Sequence, residues 1–357
     1  MKLFTCQTCA QTLYFENTSC ERCGSEVGYI AALDEVSVVT PQGRDWAVAA
    51  DGSKLYRFCA NWEKRACNWL VPADSAAMCE ACSHNGVVPD VTDPSQHALW
   101  VRLEQAKRRL YYTLLKLELP LPNPSSGAPQ PLRFDFPAAL GASKPMTGHD
   151  NGLITIALDE ADDVQREKMR TSVHEPYRTL LGHLRHEVGH FYWDKLVRDG
   201  AAQDEFRAMF GDERQDYAQA LAHHYRDGPP ADWQQAYISA YSTAHPWEDF
   251  AETWAHYLHI VDTLETADAF GLSLVPQKPD MPRVFAGQSG SLKQIGDIDV
   301  VIRAWLPLVF AVNSLNRSMG QPDLYPFILP PPAIAKLDFV RVIIQRAGGS
   351  VSPVASN

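Results

Sequence analysis

His186-Glu187-Val188-Gly189-His190 constrains this chain more than any other stretch. Residues four apart on a helix lie above one another on one face, so both imidazoles can reach a single metal ion. The glutamate one step on is carried round beside them, where it can act on a water without being a ligand. The pattern supports a helix: Leu181, Leu184, Val188 and Phe191 recur as an apolar stripe, and His183, His186, Glu187 and His190 form a separate polar one. Two histidines are not a complete site. An open zinc centre takes three protein ligands and leaves one position free.

The missing donor can come from His245-Pro246-Trp247-Glu248-Asp249-Phe250-Ala251-Glu252. Pro246 suits the first turn of a helix, where its absent N–H would have no partner. Phe250, Trp254, Leu258 and Val261 then make an apolar stripe, and Glu248, Glu252, His256 and His259 a polar one. One acid of this helix would complete the set, with Glu248, Asp249 and Glu252 as rival candidates. His183, His256 and His259 are candidates for the shell behind the ligands.

This pairing of segments resembles the gluzincin metallopeptidases of the thermolysin-like and anthrax-lethal-factor-like kinds. The resemblance implies a catalytic zinc held by His186, His190 and Glu248, with Glu187 as general base. It also implies that Glu252, four residues after the ligand, supports a zinc-binding imidazole, with His256 as a further second-shell residue. Tyr241, seven residues before Glu248, takes the place of the tyrosine that stabilises the oxyanion. The stretch between His190 and Glu248 is longer than in thermolysin, so its architecture does not follow from the comparison.

All eight cysteines lie in the first 82 residues, in two sets of four. Cys6-x2-Cys9 and Cys20-x2-Cys23 are two knuckles across a short connection, the spacing of a closed tetrahedral zinc site. Cys59, Cys67, Cys79 and Cys82 form a looser second set, and no cysteine is left over. The expected cofactors are therefore three Zn2+ ions, two structural and one catalytic. Leu13-Tyr14-Phe15 and Val27-Gly28-Tyr29-Ile30 are candidates to pair as short strands, and Trp62 and Trp69 to pack around the second metal.

These cysteine sets, with Arg57-Phe58-Cys59-Ala60-Asn61-Trp62, Cys67-Asn68-Trp69-Leu70-Val71-Pro72, Tyr177 to His190 and His245 to His259, resemble a bacterial family of zinc-ribbon, zinc-binding metallopeptidases. The similarity spans most of residues 1–275. It implies an α+β chain, with N-terminal four-cysteine zinc-ribbon modules followed by a mostly helical, zincin-like metallopeptidase domain with a small β-sheet.

The expected organisation is a zinc-ribbon region over 1–92, a connecting helix and Pro-rich linker over 93–131, and the metallopeptidase domain over 132–275. A C-terminal helical extension over 276–345 and a disordered tail over 346–357 complete it. Leu99, Leu103, Ala106, Leu110 and Leu114 mark a helix over 94–118. Leu119 to Pro131 is too rich in proline for a helix and reads as the main boundary. Gly152 to Leu158 is the clearest strand, and in such peptidases a strand of this kind can pair with an extended substrate. Residues 202–226 read as helical from the recurrence of Phe206, Met209, Phe210, Tyr217, Leu221 and Tyr225, and Trp233 to Tyr241 as a further helix. The Pro- and Gly-rich stretch from Gly271 to about Gly296 reads as a loop, and 298–315 and 334–345 as helices.

The formal charge of −11 argues against a broad phosphate-binding surface. The one basic run, Lys107-Arg108-Arg109, reads as the solvated face of a helix. No apolar signal core opens the chain and no run reads as membrane-spanning, so a cytoplasmic location is expected, where clustered thiols hold metal. The expected activity is zinc-dependent hydrolysis of peptide bonds in a peptide or protein substrate. The alternative is a non-enzymatic zinc-ribbon module that binds protein or nucleic acid, with a peptidase-like scaffold. Neither substrate nor oligomeric state is encoded in these patterns.

Overall fold

A computed structural model of the chain describes residues 1–139, 145–172, 177–275, 284–285 and 296–348. It divides into two compact units, one formed by residues 1–115 and 121–167, the other by 116–120 and residues from 168 onward.

In the first unit, β1 (Phe4–Thr5) and β2 (Thr12–Leu13) pair antiparallel around the first cysteine knuckle. A five-stranded antiparallel meander follows: β3 (Val27–Ile30), β4 (Glu35–Gln42), β5 (Asp45–Val48), β6 (Asp51–Phe58) and β7 (Leu70–Pro72), hydrogen-bonded in that order. Val27–Ile30 thus pairs with β4, whereas the expected partner, Leu13 to Phe15, pairs through Leu13 with Phe4. Ile30, Val39, Val48, Tyr56 and Leu70 form the core of the meander. Phe15, Tyr29 and Trp69 meet edge-on or tilted beside it, and Trp62 stacks on Phe58 with ring centroids 4.0 Å apart. These tryptophans pack near the second cysteine set, as expected.

α1 (Glu80–Ser83) carries the last cysteine of the second set, and α2 (Pro94–Lys116) lies in the interior. The basic run on α2 departs from its reading as a solvated face. Lys107 is fully buried and Arg108 nearly so. Lys107 meets Glu104 at 2.9 Å and lies over the Phe134 and Phe136 rings, while Arg108 donates to the Ala66 carbonyl. Burial of a cation is tolerable only with such partners.

The Pro-rich segment is not the boundary of this unit. β8 (Arg133–Asp135) returns to the cysteine module: Phe134 N donates to His84 O and Gly86 N to Phe134 O. Backbone pairing, which composition does not reveal, therefore carries the first unit on to Glu167. β9 (Gly148–Asp150) and β10 (Leu153–Thr155) complete a three-stranded sheet in the order β8-β10-β9. The strand read as a substrate partner is thus the central one, parallel to β8 and antiparallel to β9, with both edges already paired. It has no backbone edge to offer a peptide. His149 lies in β9 opposite Ile154, and its ring accepts from Gly152 N at 3.0 Å in the turn that joins the two strands.

α3 (Asp163–Ser172) leads into the second unit, which is helical: α4 (Leu180–Tyr192), α5 (Gln203–Phe210), α6 (Tyr217–Asp227), α7 (Pro246–Ala269), α8 (Ile298–Ser318) and α9 (Pro331–Gly348). α4 continues as a wider, π-type turn over Trp193–Arg198. The helix expected over 202–226 is broken between α5 and α6, where Gly211 takes a φ of 103°. Trp233 to Tyr241 forms only short 3-10 turns. α8 and α9 pack on α7 within the same unit instead of forming an extension of their own. Helix α9 also runs on to Gly348, into the expected tail. The rest of that tail and most of the stretch from Gly271 to Gly296 lie outside the described residues.

Among the described residues, helix α8 is long and apolar enough, by length and composition, to cross a membrane. This corrects the reading that no run is. In this fold Val301, Ile302, Trp305, Leu308 and Val309 are buried, and Asn313 Nδ2 donates to the Tyr325 carbonyl at 2.8 Å.

α4 and α7 form the axis of the unit. A Cβ on Gly189 would stand 3.0 Å from Ala251 Cα and 3.2 Å from Trp254 Cβ, so any side chain here presses on α7 and glycine allows the closest approach. Tyr192 stacks on Trp254 at 4.8 Å, and Phe206, Phe210, Phe250 and Phe339 join α5, α7 and α9. Buried ion pairs reinforce the contact: Arg185 on α4 with Asp262 on α7, and Lys336 on α9 with Asp249 on α7 at 2.6 Å. Replacing Gly189 by Val forces these helices apart. We expect the Gly189→Val variant to lose about 1–3 kcal/mol of stability, read as a lower urea midpoint, with the Cys-bound zinc retained.

Candidate metal centre

Thr179 starts α4 by accepting from Gly182 N at 3.0 Å. His245 starts α7 likewise: its Nδ1 accepts from Trp247 N at 3.1 Å, and Pro246 occupies the first turn. These two caps, with the close approach at Gly189, set the rotation of both helices.

Three atoms then converge. His186 Nε2 stands 3.2 Å from His190 Nε2 and 3.0 Å from Glu248 Oε2, and His190 Nε2 stands 3.5 Å from the same oxygen. Bonds of zinc to N and O near 2.0 Å in a tetrahedron imply ligand–ligand edges of about 3.3 Å. The trio fits a zinc ion, and all three side chains are buried.

The surroundings orient the trio. His186 Nδ1 and Glu252 Oε1 are 2.8 Å apart, and Ser239 Oγ donates to Glu252 Oε2 at 2.6 Å. A proton on Nδ1 directed to Glu252 leaves the Nε2 lone pair facing Glu248 and His190, a carboxylate–imidazole support common behind zinc ligands. Burial opposes ionisation of Glu252, but His186 outweighs it and holds the carboxyl down at about 2. Burial likewise pushes His186 down, yet Glu248 and Glu252 together hold it well above the ordinary imidazole value. This corner of the protein therefore favours positive charge.

Of the three rival acids, Glu248 is the one that faces both Nε2 atoms. Asp249 turns to Lys336, and burial pushes its carboxyl up to about 7 despite that partner. Glu252 meets the far nitrogen of His186. Glu187 is buried and paired with His183, 3.3 Å away; burial would raise its pKa, but His183 and the neighbouring imidazoles outweigh this and lower it. Tyr241 is half-buried, its ring 6.0 Å from that of His186, and burial together with Glu248 pushes its phenol far up, so it stays a donor. His256 is a step removed, its Nδ1 2.7 Å from the Tyr325 hydroxyl. His259 accepts from Arg185 at 2.6 Å and serves the α4–α7 contact.

Three contributors escape the sequence. Tyr217, read only as part of a helical pattern, donates to Glu248 Oε1 at 2.5 Å. Trp247 lies against His190 with ring centroids 3.6 Å apart. Ser239 completes Glu252. No local pattern marks Tyr217 or Ser239; Trp247 alone stands within the recognised motif.

The cysteines form two further centres among the described residues. Sγ–Sγ separations are 3.6 Å for Cys6–Cys23 and Cys9–Cys20, and 3.7 Å for Cys67–Cys79. These are far beyond a disulfide bond and close to the edge of about 3.8 Å in a zinc tetrahedron of four thiolates.

Residues 96–343 match the family described as "putative zinc-binding metallo-peptidase". The chain belongs to that family. Residues 3–93 match a zinc-ribbon domain. The chain is also 39% identical to an uncharacterized protein of Mycobacterium bovis and to uncharacterized proteins of two Mycobacterium tuberculosis strains, over 100% of this chain and 99% of each relative. No solved structure matches.

The geometry sets the metal content. Native protein should carry three zinc ions by elemental analysis, and joint replacement of His186 and His190 by Ala should remove one, leaving the Cys-bound pair. Glu252→Ala should keep all three but weaken the His/Glu site about 10–100-fold, measured by competition with a chelator.

Proposed function

We propose that the helical unit is a zinc-dependent peptidase centre that hydrolyses peptide bonds. The observation that carries this reading is the convergence of His186 Nε2, His190 Nε2 and Glu248 Oε2, with Glu252 fixing the tautomer of His186 and Glu187 adjacent to both imidazoles. In this reading His186, His190 and Glu248 hold the metal. When bound, zinc supplies a Lewis acid and makes water acidic enough to act as a nucleophile near neutral pH.

Glu187 accepts the proton of the attacking water and passes it to the leaving amine, so one carboxylate serves as base and then as acid. Its lowered pKa keeps it ionised, ready for the first step. Tyr241, kept protonated by burial and by Glu248, donates to the oxyanion as charge develops on the carbonyl oxygen. The two four-cysteine centres serve structural zinc, and the thiol set fits a reducing, cytoplasmic compartment. The substrate in this reading is a peptide or protein, and the formal net charge of −11 disfavours a polyanion. A scaffold that merely bound a partner would need neither Glu187 nor the support of Glu252.

The test is a peptide-library digest with native protein and the Glu187→Gln variant. The variant should retain three zinc ions yet lose at least about 100-fold in rate. Equal cleavage by both samples contradicts the assignment.

A further inference from the structure

Helix α6 differs from its neighbours. None of its 11 residues is buried. A helix of this length does not persist in water on its own hydrogen bonds, which requires about 12–15 residues or more even in favourable sequences. Tertiary contacts must hold it, and the specific ones are polar. Tyr217 Oη donates to Glu248 Oε1 at 2.5 Å, and His224 Nδ1 lies 3.3 Å from Thr243 Oγ1. His245 Nε2 donates to the Gln215 carbonyl at 3.2 Å, just before α6, and the His224 ring stands edge-on to that of Tyr241, centroids 5.9 Å apart. Each tie runs to the stretch 241–248, which carries Tyr241 and Glu248. The Tyr217 ring also stands edge-on to Trp247, the residue that covers His190.

The ends of this segment are permissive. Gly211 and Gly228 take φ values of 103° and 76°, in the region where glycine alone is unstrained, and Pro229-Pro230 follows the second. A helix without a buried face, between two such glycines and tied at one edge, belongs to the low-stability end of a fold.

We propose that α6 is a flap at the edge of the metal centre and that Tyr217 is its latch. The inference rests on the reading of His186, His190 and Glu248 as zinc ligands. Tyr217 is a positioning residue: by holding Oε1 it leaves Glu248 a single oxygen, Oε2, to present beside the two imidazoles. The same bond seats the helix, so release of Tyr217 frees α6 and loosens Glu248 together.

The test uses the full-length holoprotein and Tyr217→Phe, which removes one hydroxyl at an exposed position and keeps the ring. Amide exchange and zinc release to a chelator are followed, the protein lacking His186 and His190 identifying the phase that belongs to this centre. We expect exchange over 217–227 to accelerate about tenfold with α4 and α7 unchanged, and release of this one zinc to accelerate about tenfold, with both Cys-bound ions unaffected. A general destabilisation would move all three zincs and all helices, and would overturn the latch. Unchanged exchange over 217–227 would overturn it too, and faster exchange with unaltered zinc release would overturn the positioning role. Should native protein hold no third zinc, the peptidase reading fails, while the exchange measurement still judges the flap.

Discussion

Two imidazole nitrogens and a carboxylate oxygen face one another across 3.0–3.5 Å in a buried space. With Glu252 taking the proton of His186 Nδ1, the lone pair of Nε2 points at an anion, an arrangement that costs energy unless a cation lies among them. Much of the helical unit is built to enforce that arrangement. Gly189 lets α4 and α7 approach, Thr179 and His245 fix where each helix begins, Arg185–Asp262 ties α4 to α7, and Lys336–Asp249 ties α9 to α7. Four acids of α7 are thereby each committed to a different partner: Glu248 to the imidazole pair and Tyr217, Asp249 to Lys336, Glu252 to His186 and Ser239, Asp262 to Arg185.

The N-terminal unit solves a different problem by related means. Its cysteines sit at strand ends: the first set flanks the β1–β2 pair and leads into β3, and the second joins the end of β6 to the start of β7 and to α1. Metal binding at such positions contributes directly to folding. The buried Glu104–Lys107 pair, with Asn85 beside it, then ties α2 to this module through partners that leave neither charge alone in the interior.

The sequence made helices α4 and α7 legible because their periodicity is local. His186 and His190 share a face by spacing alone, Pro246 marks a helix start, and eight cysteines in two sets need no tertiary information. Which acid meets the imidazoles was not legible from spacing, since Glu248 and Glu252 lie on one face of α7 and the choice depends on the approach at Gly189. Family resemblance supplied that choice instead. Tyr217 and Ser239 reach the centre from segments with no metal-site pattern. The limits of the first unit and the paired edges of β10 are properties of long-range strand pairing, and the inward cations of α2 depend on what packs above them. These features are set by tertiary partners, beyond the reach of a sequence window.

X-ray absorption at the zinc edge of native protein tests the central claim most directly. Two sulfur-only centres beside one built from His186, His190 and Glu248 predict Zn–S scattering near about 2.3 Å together with a distinct Zn–N/O shell near about 2.0 Å, the latter lost when both histidines are replaced. A spectrum of sulfur ligands alone, from protein saturated with zinc, would contradict the account.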